Sequence, residues 1–387
     1  MKNKMQTENA RYIPLELYIH IPFCVKKCQY CDFLSGPSDK DTQHRYTEAL
    51  RQEILAVQDA ESYEVVSVFI GGGTPSILDI EDIAVIMKAA REQFRFSKDA
   101  EITIEVNPGT AEKQKFTVYS QLGINRLSLG LQSTDNVELK MLGRIHTYEE
   151  FEQTYQEARE AGFSNINVDL MFAIPGQTKE GWQQHLRQTA ELQPEHISAY
   201  SLIIEEGTPF AQQDLDLPDE DTEYQMYEDT ADILAEYGYH QYEISNYAKA
   251  GFACRHNIGY WKRTEYLGLG LGAASLYHGQ RFYNTRDMKE YLENSRDAKV
   301  IRKEIMTLSC NEQMEEFAFL GLRMTDGIDE KEFEDCFGVK LTDVYGKVLY
   351  KYENTGFLEH IGSKWKFTRK GIHVSNHILA DFLMEEE

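Results

Sequence analysis

The sequence predicts an α/β fold: a partial, open-sided (βα)6 barrel followed by a smaller, mainly helical domain. Six strand-like apolar runs alternate with amphipathic helical patterns through the first half of the 387-residue chain, the arrangement that gives βαβ units, right-handed crossovers and a parallel sheet. Polar and glycine motifs recur at the C-terminal ends of these runs, where parallel α/β barrels build their sites. From about Arg302 the pattern turns to short amphipathic helices and one hairpin. Six units are fewer than the eight that close a full barrel, so one side is expected to stay open.

In order, the expected strands are Leu15 to Ile21, Val65 to Ile70, Ile102 to Val106, Arg126 to Leu131, Ile166 to Phe172 and His196 to Ile203. Each is five to eight residues of largely apolar character, the length of an ordinary strand. Helical periodicity fills the gaps from Asp41 to Ala60, Asp79 to Phe94, Ala111 to Leu122, Tyr148 to Ala161 and Lys179 to Leu192. An acidic, Pro-marked segment from Asp214 to Asp221 leads to a helix over Glu223 to Tyr237 and a strand-like Gln241 to Tyr247. The aromatic segment Cys254 to Trp261 and the glycine-dense Tyr266 to Ser275 follow; Gly268 to Gly272 lack GxGxxG spacing and read as close-packed backbone. Domain limits are expected at 1–295 and 296–387. In the second part, helices over Asn311 to Leu322, Asp329 to Phe337 and Leu341 to Asn354 precede a hairpin across Ile361 to Ser363 and a last helix from Gly371 to Met384. Helices followed by such a hairpin resemble a winged-helix module.

Lys+Arg 40 against Asp+Glu 64 gives a net charge of −24, which opposes phosphate-backbone attraction and argues against nucleic-acid binding. The polar start, Met1 to Glu8, has no apolar core of a signal peptide, and no run approaches the ~18 apolar residues of a spanning helix. A cytoplasmic protein without a membrane span is expected, with peripheral association left open. Three of the six cysteines crowd into one motif, as in metal ligation within a reducing compartment. Cys254, Cys310 and Cys336 stand alone and read as small buried hydrophobes.

That motif, Cys24-Val25-Lys26-Lys27-Cys28-Gln29-Tyr30-Cys31, spaces its thiols as CxxxCxxC. Thiolates select zinc, copper(I) or iron–sulfur clusters. A structural zinc needs a fourth ligand; His20 or His44 leaves a Cys3His site open, although neither fits a usual zinc spacing. A cluster held by three cysteines leaves one iron free for another group. Gly71-Gly72-Gly73-Thr74-Pro75 allows backbone to approach a ligand, or is simply a tight βα turn. Glu105, Gln132 and Asp169 offer hydrogen-bonding groups at strand ends, though any could be an ordinary loop residue. Arg144 suits a carboxylate or is a solvated surface arginine.

The CxxxCxxC spacing resembles the signature of the radical S-adenosylmethionine (SAM) superfamily, whose barrel the fold then matches. Its flanks, Leu17 to Cys24 and Cys31-Asp32-Phe33, resemble the branch that contains the oxygen-independent coproporphyrinogen III oxidases and the HemW-type haem chaperones. The resemblance implies a 4Fe-4S cluster on Cys24, Cys28 and Cys31, with SAM chelated by the open iron. It implies contact of Gly71, Gly72, Gly73 and Thr74 with the SAM amino group, and SAM contacts for Glu105, Gln132 and Asp169, the last two near the ribose. Arg144 would meet the SAM carboxylate, and Tyr18 would lie near cluster and SAM. In this superfamily the reduced cluster gives SAM an electron, and the resulting 5′-deoxyadenosyl radical abstracts a substrate hydrogen.

Two departures separate the chain from the oxidases, which decarboxylate two propionates. Phe33 stands where they carry a further cysteine, and only 23 residues precede Cys24. Both favour the chaperone type, which binds haem and passes it to haem proteins; the oxidase is the alternative, and whether the chain is an enzyme stays open. His256-Asn257-Ile258-Gly259-Tyr260-Trp261 matches that type's HNxxYW motif. His256 would then be a haem-binding residue with Tyr260 and Trp261 against the porphyrin, or else a structural histidine. Arg255 and Arg263 would meet propionates or solvent. Haem or another porphyrin and a haem-acceptor protein are the implied partners.

Overall fold

A computed structural model describes residues 12–384; the polar Met1 to Glu8 segment lies outside the described residues. The first part is one twelve-stranded sheet whose centre is the barrel. Its repeating units are β1 (Ile13–Ile21) and α1 (Lys40–Leu55), β2 (Tyr63–Gly72) and α2 (Ile80–Gln93), β3 (Arg95–Val106) and α3 (Lys113–Gln121). They continue with β4 (Arg126–Gln132), α4 (Asn136–Met141) and α5 (Tyr148–Glu160), then β5 (Ile166–Phe172), α6 (Lys179–Glu191) and β6 (His196–Ser201). β1 to β6 lie side by side in chain order and all pair in parallel, as the alternation predicted.

Local chemistry fixes the helix starts. Asp39 caps α1 by accepting from the Thr42 N–H, Thr178 caps α6, and Thr147 with Glu150 forms a capping box on α5, each satisfying backbone donors that the first turn leaves free. Apolar residues of the helices and the outward faces of the strands form one core, with Leu17, Ile70, Ile104, Leu129, Val168 and Trp182 fully covered.

Beyond β6 the chain forms α7 (Glu220–Glu236) and then a hairpin, β7 (His240–Glu243) and β8 (Asn246–Ala248), where one strand was expected. β8 pairs antiparallel with β6 and ends the sheet on that side. The aromatic segment is a helix, α8 (Arg255–Trp261), and the glycine-dense stretch supplies β9 (Tyr266–Leu269), a further parallel neighbour of β1. The close-packed reading of its glycines holds: a Cβ on Gly268 would lie 2.2 Å from the Ala274 carbonyl oxygen. β10 (Ala274–Tyr277), β11 (Gln280–Asn284), α9 (Met288–Asn294), α10 (Ala298–Ile301) and β12 (Arg302–Thr307) complete this edge. β12 pairs with β11, so the large sheet continues past the boundary expected at 295.

The C-terminal part has its own apolar core around Phe333, Leu341, Leu349 and Trp365. It contains α11 (Cys310–Gly321), β13 (Ile328–Asp329), α12 (Glu330–Phe337), α13 (Leu341–Asn354), β14 (Leu358–Ile361) and β15 (Lys364–Phe367), then α14 (Arg369–His373) and α15 (Ser375–Ala380). The β14–β15 hairpin with β13 forms the wing. The expected last helix is two, broken at Val374. Arg263 and Arg281 both pair with Glu316 of α11 and tie this part to the barrel. Cys310 and Cys336 are exposed, not buried, because they lie on the solvent sides of α11 and α12; Cys254 is buried as expected.

Candidate functional site

Strand register assembles the site. Ile21 pairs with Gly72, Ile70 with Ile104, Glu105 with Ser128 and Gly130 with Asp169, so the inward residues at the C-terminal ends of five strands share one level. Above them is a cavity of about 360 Å3, lined by all three motif cysteines and by Gly72, Gly73, Thr74, Glu105, Asn107, Gln132, Arg144 and Asp169. Residues from Cys24 to Tyr200 thus meet at one mouth, with Phe33 and Met171 also in its lining.

The cysteine loop is pinned by backbone bonds: Cys24 N–H donates to Gly36 O (3.0 Å), Gln29 N–H to Leu142 O (3.0 Å) and Phe210 N–H to Gln29 O (3.0 Å). A single tetrahedral zinc with Zn–S bonds of about 2.3 Å would draw its sulfurs to about 3.8 Å from one another. Among the described residues only His44, Asp79 and Asp82 bring three ligand atoms within 4.8 Å; the three thiols are spread wider, as a multi-iron cluster requires. His20 is also committed elsewhere, its ring nitrogens bonded with Tyr18 Oη (2.9 Å) and Leu34 O (3.0 Å). The donor set therefore fits a cluster better than a Cys3His zinc ion.

Glycine is required beside this loop. Gly72 has φ +110°, and a Cβ there would sit 2.5 Å from the His20 ring; one on Gly73 would sit 2.4 Å from Phe23 O. The Gly72 N–H donates to Glu105 Oε2 (3.0 Å), and Thr74 Oγ1 accepts from Asn107 Nδ2 (2.8 Å). Burial, reinforced by the neighbouring Asp169 charge, pushes Glu105 up to about 8. Asp169 is also raised by burial, opposed by hydrogen bonds from Asn167 and Ser128. The buried Arg126 charge also lowers Asp169, but among the described residues neither carboxyl group is in a salt bridge, so the pair suits a ligand bearing positive charge and hydroxyl donors.

Arg144 is not a solvated surface arginine. Its Nη2 donates to Gly130 O (2.6 Å) and Asn107 Oδ1 (2.9 Å), and Nη1 lies 3.8 Å from Cys28 Sγ. Nε is buried without a partner, an orphaned donor that an anionic group could satisfy. Gln132 reaches the cavity from a backbone at φ +74°. Gly71 and Tyr18 do not line the cavity; a Cβ at Gly71 would be 3.0 Å from the Glu105 carboxyl group, so Gly71 supports the wall from behind.

The structure places His256 away from the cavity. It is only 1% exposed and lies in the barrel floor, with Nδ1 bonded to Ser67 Oγ (2.8 Å), Nε2 to Tyr260 Oη (3.0 Å) and its ring stacked on Phe69. Burial, with the charge of Arg126, lowers it to about 3. Both ring nitrogens are thus engaged by protein groups, because α8 turns the residue inward under the strands. Arg255 pairs with Asp99, Arg263 with Glu316, and Trp261 faces Arg323, so none of these borders the mouth.

Asn107, Ser128, Tyr30 and Tyr200 are in the lining without having been singled out in the sequence. Asn107 lies two residues after Glu105 at the end of β3, and Ser128 is a lone inward hydroxyl in an apolar strand, both legible signals; nothing local marks Tyr30 or Tyr200.

Two family models match the chain: the Radical SAM superfamily over residues 18–189 and the HemN C-terminal domain over residues 308–374. The chain is 37% identical over 383 residues to the heme chaperone HemW of Haemophilus influenzae, covering 96% of this chain and 99% of that protein. It is 36% identical to the heme chaperone HemW of Lactococcus lactis, covering 96% and 98% respectively. Among solved structures, coproporphyrinogen III oxidase HemN from Escherichia coli, a radical SAM enzyme, is similar with a TM-score of 0.84 and 26% identity, over 96% of this chain and 91% of that one.

Proposed function

Because the chain belongs to the HemW family of radical SAM proteins, we propose that it is a cytoplasmic haem chaperone, which binds haem and hands it to haem proteins. The observation that carries this reading is similarity to HemW chaperones across 96% of the chain. Phe33, exposed at the mouth, fits the same reading, since the oxidases of this branch carry a further cysteine there. The oxidase alternative is not favoured.

Membership of the superfamily implies a 4Fe-4S cluster and SAM. Cys24, Cys28 and Cys31 would hold the cluster, which when bound supplies a low-potential electron to SAM. Arg144 would take the SAM carboxylate with its unpartnered Nε. Gly72 and Gly73 would let the amino group lie against the strand end, Glu105 would accept from that ligand, and Gln132 and Asp169 would hold the ribose hydroxyls. Glu105, held up to about 8 beside the Asp169 charge, would ionise on arrival of the cationic ligand, since an opposite charge favours the ionised form. Haem would be cargo rather than a resident group, and its acceptor a separate protein.

The test is anaerobic reconstitution followed by haem titration in the Soret band, with transfer to an apo-haemoprotein as a second readout and coproporphyrinogen III with SAM and reductant as a parallel arm. Stoichiometric haem binding and transfer, without accumulation of protoporphyrinogen, is the expected result. Multiple turnovers of coproporphyrinogen would overturn the chaperone reading.

A further inference from the structure

The barrel interior carries a chain of buried polar groups with a fixed direction. Asn167 Nδ2 donates to Asp169 Oδ1 (2.8 Å) and lies 2.7 Å from Ser128 Oγ, which itself donates to Asp169 Oδ2 (3.0 Å). Asn167 Oδ1 lies 2.6 Å from His196 Nδ1, and His196 Nε2 lies 2.8 Å from Tyr242 Oη. Tyr242 Oη in turn accepts from the Cys254 N–H (3.3 Å) at the start of α8. Asn167 and His196 are 2% and 0% exposed, so these bonds are shielded from bulk solvent.

With Asp169 ionised, these contacts allow one proton arrangement. The amide of Asn167 must present N–H to the Asp169 carboxylate, because its oxygen there would face another acceptor. Its Oδ1 therefore faces His196, which must carry its proton on Nδ1. Nε2 is then an acceptor and takes the Tyr242 O–H, which leaves the Tyr242 lone pairs for Cys254 N–H. Every donor in the series points toward Asp169.

We propose that Asn167, His196 and Tyr242 are positioning residues that hold Asp169 oriented for a ligand's vicinal hydroxyls. This rests on the reading of Asp169 as the SAM ribose contact. A carboxylate gripped at both oxygens keeps its remaining lone pairs aimed at the cavity, and the imidazole, with Ser198 Oγ donating to the same Asn167 oxygen (3.1 Å), stops the amide from flipping. The first residue of the series, Cys254, precedes the HNxxYW segment, so the segment supports the SAM site through the barrel floor.

The experiment is equilibrium binding of SAM and of its 2′,3′-dideoxyribose analogue to the anaerobically reconstituted, cluster-bearing protein, with thermal unfolding recorded alongside. Wild type should prefer SAM by on the order of tenfold or more, the worth of a charge-assisted hydrogen bond. His196→Leu should bring that ratio close to one while the analogue's affinity stays unchanged, and His196→Asn, whose amide can donate in place of Nδ1, should restore most of it. A general loss of packing would weaken both ligands alike and would overturn the proposal. If the His196→Leu protein does not fold, Tyr242→Phe carries the same measurement with the aromatic packing kept, and an undiminished ratio there refutes the chain. Asp169→Asn separates the two readings: a retained preference overturns the ribose contact, and the inference with it. A preference lost in Asp169→Asn but kept in His196→Leu overturns the positioning chain alone.

Discussion

Replacing His256 with Ala separates a haem ligand from a floor residue. The imidazole accounts for the hydrogen-bond partner that Tyr260 Oη has in the structure, while Ser67 Oγ keeps a second contact to Glu16 Oε1 (3.1 Å). A buried hydroxyl left without a partner costs about 1–3 kcal/mol. The ring is also stacked on Phe69, and truncating a large buried side chain adds roughly 2 kcal/mol of lost packing and cavity. The variant should therefore lose about 3–5 kcal/mol of stability. Urea unfolding measures this directly, and haem titration below the onset of unfolding should give the wild-type affinity per folded molecule. A variant of near-normal stability that no longer shifts the Soret band would refute this placement of His256 and return the HNxxYW histidine to the iron.

Cys24→Ala, Cys28→Ala and Cys31→Ala should each lose cluster iron and its visible absorbance on reconstitution, whereas Cys310→Ser and Cys336→Ser should keep both; iron analysis checks this. Glu105, held up at about 8 by burial and by Asp169, keeps its proton in the folded ligand-free protein after the unfolded chain has released it near the usual carboxylate value. Stability from this group is therefore full below that value and declines as pH rises to about 8, by on the order of a few kcal/mol. Glu105→Gln should make the decline shallower in urea titrations between pH 5 and 9, where the buried Glu16 and Glu53 also contribute, and an unchanged pH profile would contradict the burial argument. Gly72→Ala should impair SAM binding more than Gly109→Ala, because only the former drives a Cβ into the His20 ring; equilibrium dialysis distinguishes them. Glu316→Ala strands Arg263 and Arg281 at the contact between the two parts and should cost about 2–3 kcal/mol, visible as a lowered Tm with the Glu316→Gln protein intermediate.

Short-range pattern in the chain encodes much of this architecture. Strand–helix alternation specified six parallel strands in order, because each βα unit is local and its handedness is fixed. The CxxxCxxC loop and Gly71 to Gly73 were legible for the same reason: a run of a few residues already contains the ligand spacing or the backbone freedom. Tertiary structure alone decided how distant residues face one another. Interstrand register brought Gly72, Glu105, Gly130 and Asp169 to one level, and a slip of one residue would have turned them outward. The glycine-dense segment reads locally as packed backbone, but its pairing as β9 beside β1 depends on a partner some 250 residues away. His256 carries the same letters whether it meets iron or Ser67. Its role was set by α8 turning it into the barrel floor, since a side chain's chemistry is decided by the groups that surround it and those come from the whole chain.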